Sequence, residues 1–412
     1  MTTRIHSDLF TYRRVSLMLV SALIFAVLPA ATVHAAEWRI EPSIRVGGEF
    51  DDNANLTTRT DVDADISGYL IDASAKFAYA SETTDFFVEP KLRKRDYGDP
   101  LFDSDDQFLP FNFSHDTQNS NFRIWGQYAR EGIRTAERAD ADLEVEDPDE
   151  IADNESGRVR VRGHRDSLYI NPSWTYRTSR VSSIRLNLGL IDVSYDGLLA
   201  NLLTNYSDAR VSASYLRNWS PRNTAILTAG YRQFEPEGSN KLTGTSLNAG
   251  FERRLTETTR LRALIGLEES TDEVTDQSDT NWVADISLTR NLQTITMLAQ
   301  YRRTVSGGGI GSLSTRDALN LNFTRRLSDR ISAGFGVRAY QDESLNDTII
   351  IFEERDYIQL RAQLTWQLSR NLSLDANYRY TFIDRCELCE SANSNSIIIW
   401  LNYRPKPFIR SR

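Results

Sequence analysis

Beyond residue 35 this chain has no apolar run approaching the roughly 18 residues that a membrane helix needs. Its mean hydropathy is −0.45, and together these exclude a helical membrane protein. The 21 glycines and 11 prolines are too few for a fibrous or disordered chain. There are only two cysteines, Cys386 and Cys389. No second ligand pair exists to complete a zinc site, and no βαβ pattern surrounds the pair as in a redox motif. A small loop disulfide between them is the expectation in an oxidising compartment. Histidine is nearly absent: after residue 35 only His115 and His164 occur. Neither lies in a nucleophile, zincin or deaminase motif. Gly307-Gly-Gly-Ile-Gly311 has a phosphate loop's glycines without its lysine or following helix, and reads as a flexible outer loop. An enzyme is not expected, nor a metal or other cofactor.

What is present is alternation. Leu372, Leu374, Ala376, Tyr378, Tyr380 and Phe382 interleave with Ser373, Asp375, Asn377, Arg379 and Thr381. Ile295, Met297, Ala299 and Tyr301 interleave with Thr294, Thr296, Gln300 and Arg302. A period of two puts one set on each face of a strand. The apolar faces are uniform, the polar faces are charged, and no helical segment exists to cover the former. Lipid is the natural partner for such a surface, and closure into a barrel then satisfies every strand edge.

The N-terminus is an export leader. Arg13 and Arg14 precede an apolar run from Val15 to Leu28, then Pro29 and the small-residue site Val33-His34-Ala35. Residues 1–35 are expected to be a signal peptide, cleaved after Ala35, and 36–412 the barrel. A signal anchor is the alternative, for which the run is short. The formal charge is −9, and losing Arg4, Arg13 and Arg14 with Asp8 takes it to about −11. Nucleic acid is an improbable partner for an exported acidic protein.

Strands are predicted to begin near Trp38, Gly68, Phe86, Gln107, Phe122, Asp166, Ser183, Asp208, Thr224, Thr243, Arg260, Trp282, Thr294, Ala318, Ile331, Asp356, Leu372 and Ser396. The fold class is thus all-β, a transmembrane antiparallel up-and-down barrel of about eighteen strands, with sixteen as the lower count. Short connections such as Ser220-Pro-Arg-Asn223 and Leu255-Thr-Glu-Thr258 alternate with long ones near Asp51 to Ser67, Thr135 to His164, Ser306 to Thr315 and Asp384 to Asn395. That asymmetry marks an outer-membrane barrel, with short periplasmic turns and long outer loops. Several turns repeat one pattern: Arg253-Arg254-Leu255-Thr256, Arg325-Arg326-Leu327-Ser328 and Leu368-Ser369-Arg370-Asn371. A closed meander of equivalent hairpins explains it without a propeller. The loop at about 135–164 is strongly acidic from Glu137 to Glu155, then basic at Arg158, Arg160, Arg162 and Arg165. It reads either as a solvated surface loop or as a segment folded over or into a pore.

With the apolar set outward, the predicted lumen positions are Arg39, Arg45, Arg93, Arg123, Arg185, Arg232, Arg262, Arg302, Arg338, Arg361 and Arg379, with Lys91 and Arg177. Inward acids are Glu41, Asp72, Glu89, Glu252, Glu268, Asp285 and Asp375. Two readings follow: a ladder of Arg–acid pairs that stiffens the wall, or a water-filled conduit whose arginines hold anionic or hydroxylated solutes. Trp38, Trp174, Tyr176, Tyr215, Trp219, Trp282, Trp366 and Tyr403 fall at strand ends as girdle anchors. Trp125 and Trp400 are inward, where a sugar ring could stack.

The stretch Phe50-Asp-Asp-Asn-Ala-Asn-Leu56 and the ending Leu401-Asn-Tyr-Arg404 resemble the first loop and closing strand of outer-membrane β-barrel proteins encoded with exopolysaccharide and capsule synthesis clusters. The resemblance implies a conduit that passes exopolysaccharide or capsular polymer across the Gram-negative outer membrane. It also implies work beside a periplasmic polysaccharide export protein. The expected surroundings are outer-membrane lipid and lipopolysaccharide, and the expected state is a monomer. The alternatives are a general or anion-preferring diffusion porin for small solutes, or a structural or adhesive surface barrel. Two features depart from the family pattern: the chain continues past Phe408 to Arg410-Ser-Arg412, and the acidic loop has no counterpart in it.

Overall fold

Strand β1 (Glu37–Asp51) shows why these residues form a barrel wall. Trp38, Ile40, Ile44, Val46 and Phe50 face outward and are exposed, while Arg39, Glu41, Arg45, Glu49 and Asp51 alternate with them inward. The computed structural model describes residues 36–57, 65–100, 102–138, 155, 162–197, 203–309, 311–345, 355–384 and 391–411. The leader, most of the acidic run, and Cys386 and Cys389 lie outside the described residues.

Twenty strand segments follow one another: β2 (Ile66–Ala80), β3 (Thr84–Val88), β4 (Lys91–Asp96), β5 (Ser104–Asp116), β6 (Ser120–Gly132), β7 (His164–Arg177), β8 (Ser182–Asp196), β9 (Tyr206–Ser220), β10 (Asn223–Pro236), β11 (Leu242–Arg254), β12 (Thr259–Asp272), β13 (Ser278–Asn291), β14 (Ile295–Gly307), β15 (Leu313–Arg326), β16 (Ile331–Ser344), β17 (Arg355–Gln367), β18 (Leu372–Asp384), β19 (Ala392–Tyr403) and β20 (Phe408–Ser411). A single helical turn, α1 (Ile133–Ala136), follows β6.

Proline explains why twenty segments make eighteen strands. β3 and β4 are one strand broken at Glu89-Pro90, and both pair with β2 and β5. β19 and β20 are one strand broken at Pro405-Lys-Pro407, and both pair with β1. Proline cannot donate to a ladder, so the break falls where the N–H is missing. Because β1 also pairs with β2 along its whole length, the sheet closes on itself without an edge.

At one end of the barrel a serine hydroxyl organises several of the tight turns. Ser179, Ser220, Ser328 and Ser369 Oγ each accept backbone N–H groups two or three residues on. In the repeated pattern, Leu255, Leu327 and Leu368 N–H donate to the carbonyls of Thr259, Ile331 and Leu372. The repeat in the sequence is therefore one turn type used again and again.

Trp38, Trp174, Tyr176, Tyr215, Trp219, Trp366 and Tyr403 form an exposed outer girdle near that turn end. Phe50, Tyr69, Tyr128, Tyr231 and Trp282 are exposed toward the loop end. From Trp38 to Phe50 a tilted strand climbs about 30 Å, the thickness of a hydrocarbon core. The strands run further than the sequence pattern suggested. Asp51, expected to open a loop, ends β1 and faces inward, fully buried.

The core is consequently not between sheets. Its apolar clusters lie inside the loop end of the lumen. One joins Ile133, Val193, Tyr195, Leu203, Tyr206, Phe234, Val305 and Leu313; the other joins Leu56, Ala318, Tyr340, Tyr357, Ile383 and Ala392. Both contain residues from connections as well as from the wall.

Candidate functional site

The loop end of the lumen is crossed by the chain's own connections. β13 and β14 are bonded only between Ala284/Arg303 and Asn291/Thr296, whereas β14 stays with β15 up to Gly307/Leu313. The β14–β15 tip therefore leaves β13 and leans inward. Arg232 Nη1 on β10 donates to the Val305 carbonyl at 2.8 Å, and Thr204 N–H donates to the Gly309 carbonyl at 2.7 Å. Glycine is needed for this approach. A Cβ on Gly307 would lie 2.6 Å from Phe234 Cε2 and 2.9 Å from Arg232 Nη2. The glycine-rich segment, expected to be a flexible outer loop, is instead packed across the mouth, because its missing side chains let two backbones and an aromatic ring meet.

The two described ends of the acidic loop are also inside. Gly132 N–H donates to Asp106 Oδ1 at 2.9 Å and Ile133 N–H to the Gly163 carbonyl at 3.0 Å, which starts α1 at the wall. Glu137 is buried and accepts from Tyr195 O–H at 2.8 Å, with Arg165 at 3.4 Å. Arg138 is buried against β1 and β19, donating to Asp51 Oδ2 at 2.9 Å and Ser394 Oγ at 2.8 Å. Glu155 meets β15 and β16: Arg316 donates at 3.0 Å and Arg338 at 2.6 Å. Asp342 accepts from Arg316 at 2.6 and 2.9 Å and from Arg355 at 2.6 Å. Both arginines stack on Tyr340, at 4.2 and 4.9 Å. At these two ends the solvated-loop reading fails, because the residues sit on buried partners of opposite charge. The acids between them, Asp140 to Asp153, lie outside the described residues.

Beside this mouth, Tyr97 O–H donates to Glu49 Oε2 at 2.5 Å, and Arg134 of α1 donates to Tyr97 at 3.2 Å. Burial, with the Glu49 carboxylate beside it, pushes the Tyr97 phenol above its ordinary value. The Phe50 to Leu56 stretch also gains a physical role. Asn53 caps the turn through Asp51 and Thr57, Asp52 binds Asn395 at 2.6 and 2.8 Å, and Leu56 is delivered into the second apolar cluster.

The arginines expected in the lumen stand at inward register positions, some at the mouth and some below it. Arg45 and Arg93 share Asp72, the second at 2.8 and 3.0 Å. Arg232 grips Asp208 at 3.0 and 2.8 Å, and Arg379 lies 3.5 Å from Glu49. Arg39 lies between Glu37 and Glu41. Arg338 belongs to the Glu155 cluster. Arg185 donates to Thr175 at 3.3 Å. Arg262 is in register with Glu252, Arg302 with Asp285, and Arg361 with Arg379. Arg123 lies near the turn end opposite Ser114 and Ser173. The wall thus holds arginines paired to acids along its height, from Arg39 near the turns to Arg232 at the mouth, and others, such as Arg185 and Arg123, placed beside hydroxyls. The sequence reading missed Glu49, Asp51, Arg95, Arg165, Asp208, Arg210, Arg316, Asp342 and Arg355. Glu49, Asp208 and Arg210 lie on the inward parity of strands already predicted, and extending the alternation at the loop-side strand ends reaches others, such as Asp51, Asp342 and Arg355. Trp400, expected as a stacking surface, is buried with Arg45 over its ring at 4.9 Å.

A closed barrel with an apolar outer band, a charged lumen and connections folded into its mouth defines a porin-like β-barrel of the outer-membrane class. Similar solved structures include OpdO of Pseudomonas aeruginosa, with a TM-score of 0.47 and 11% identity over 90% of this chain and 98% of that one. OccAB4 of Acinetobacter baumannii has 0.47 and 9% over 92% and 100%. A BenF-like porin from Pseudomonas fluorescens Pf-5 has 0.47 and 10% over 90% and 99%. The likeness is one of fold alone. No protein-family model and no curated protein matches the chain.

Proposed function

We propose that this barrel is a diffusion channel for small solutes with a preference for anions, and that it does not export polymer. The observation that carries this is the crossed mouth. Segments after β1, β6, β8 and β14 meet inside it through Leu56, Arg138, Leu203 and Gly309. A sliding polysaccharide needs a continuous bore, whereas a small solute needs only gaps between side chains. Polymer export, which the Phe50 to Leu56 resemblance implied, is the weaker reading for this reason. Lumen arginines below the mouth favour anions. One chain closes its own sheet, so the wall needs no second chain to complete it.

Swelling of proteoliposomes in sugars of increasing size tests this. Mono- and disaccharides should enter and long oligosaccharides should not. Rapid swelling in a long-chain dextran oligomer would overturn the reading and restore the polymer conduit.

A further inference from the structure

The outer wall carries a charge pattern that nothing in the lumen explains. Near the turn end, four alternate strands place an arginine on the lipid-facing parity: Arg217 on β9, Arg253 on β11, Arg290 on β13 and Arg325 on β15, all exposed. Each interrupts an apolar row. Tyr215 and Trp219 flank Arg217, Phe251 and Leu255 flank Arg253, Phe323 and Leu327 flank Arg325, and Leu288 precedes Arg290.

The four positions are level with one another. Arg217 stands opposite Ala225 and Arg253 opposite Asn223, two residues nearer the turn. The same step separates Arg253, opposite Leu261, from Arg290, opposite Thr259. It recurs between Arg290, opposite Met297, and Arg325, opposite Ile295. A step of about 7 Å along the strands for about 10 Å across them is the stagger that a tilt of about 35–45° demands of a row lying in the membrane plane. Neighbouring arginines are thus about 12 Å apart at one depth. No carboxylate is in register with any of them, and among the described residues none of the four makes an ion pair. From β1 to β7 the outward residues at this end are aromatic instead, including Trp38, Tyr79, Phe86, Phe113 and Trp174.

A cation set among exposed apolar side chains meets a soluble protein only if lipid is stripped from its neighbours, whereas a phospholipid phosphate stands at that depth. Guanidinium grips phosphate through two parallel hydrogen bonds. Four cations with no acid among them favour a headgroup of net negative charge over a zwitterionic one, whose ammonium they repel. We infer that the arc from β9 to β15 is a binding surface for anionic phospholipid in the leaflet on the turn side, with one headgroup phosphate to each arginine. The surface does not depend on what the lumen conducts.

Native mass spectrometry of the detergent-solubilised barrel tests it, with equal amounts of phosphatidylglycerol and phosphatidylcholine bearing the same chains. Phosphatidylglycerol should be retained in preference. Combining Arg217→Gln, Arg253→Gln, Arg290→Gln and Arg325→Gln should abolish the preference, each arginine contributing about fivefold. Combining Arg254→Gln, Arg326→Gln and Arg330→Gln, which removes exposed cations at the tips of the same turns, should leave it unchanged. Excess glycerol 3-phosphate should not displace the lipid, because the apolar neighbours hold its chains. Each variant is compared only when its unheated electrophoretic mobility matches the parent's, which shows a closed barrel. Equal retention of the two lipids by the parent, or an undiminished preference in the fourfold variant, would overturn the surface. An equal loss in the tip variant would reduce it to diffuse charge and overturn the row. Displacement by glycerol 3-phosphate would overturn the lipid assignment.

Discussion

Glu155→Gln should loosen the mouth of the channel. The Glu155 carboxylate is 6% exposed and accepts from Arg316 at 3.0 Å and Arg338 at 2.6 Å, while its carbonyl accepts from Arg316 at 3.1 Å. Asp342 is the other acid described here, facing Arg316 and Arg355. Removing one charge from a buried pair costs about 3–5 kcal/mol. Glutamine keeps an acceptor oxygen, so about 2–3 kcal/mol is the appropriate figure, a shift of roughly 30- to 150-fold toward the undocked segment. Single-channel recording reads this directly. The parent should give small steady steps, and Glu155→Gln larger steps or flicker between two levels. Identical conductance and noise, in a variant whose unheated mobility shows a closed barrel, would refute the idea that Glu155 restrains the pore.

Other outcomes follow from the same geometry. Gly307→Val places a methyl-bearing carbon within 3 Å of Phe234 and Arg232, so the β14–β15 tip should leave the mouth and conductance should rise without loss of the barrel's heat-resistant mobility. The Tyr97 phenol, raised above its ordinary 10.0, donates to Glu49 only while protonated. That contribution is complete below the unfolded phenol's value and is lost as pH rises through the folded one. The neutral-pH conductance should therefore hold to about pH 10 and change above it. Tyr97→Phe should lack the alkaline step. Arg302→Ser with Arg361→Ser should lower anion selectivity without altering step size much, as both stand on the wall below the mouth.

The wall was legible in the sequence because alternation is a local signal. Eleven inward arginines from Arg39 to Arg379 were placed by counting twos, and the outer girdle from Trp38 to Tyr403 likewise. The ends of strands were less legible. Asp51, Asp342 and Arg355 continue the alternation into stretches that read as loops, because at the mouth the inward face meets protein rather than water and carries charged partners instead of small polar residues. The crossing itself was illegible. Nothing near Gly307 announces Phe234, and nothing near Glu155 announces Arg316, since these contacts join residues far apart in the chain and on different walls. The Phe50 to Leu56 motif was visible, but its role as a turn that inserts Leu56 into the lumen came only from the neighbours it meets.

The most direct test of a small-solute, anion-preferring channel is the reversal potential of the purified protein in a planar bilayer under a potassium chloride gradient. Discrete conductance steps with a reversal potential on the chloride side, weakening as salt screens the wall, are the expected result. A silent protein, or steps that reverse on the potassium side, would contradict it.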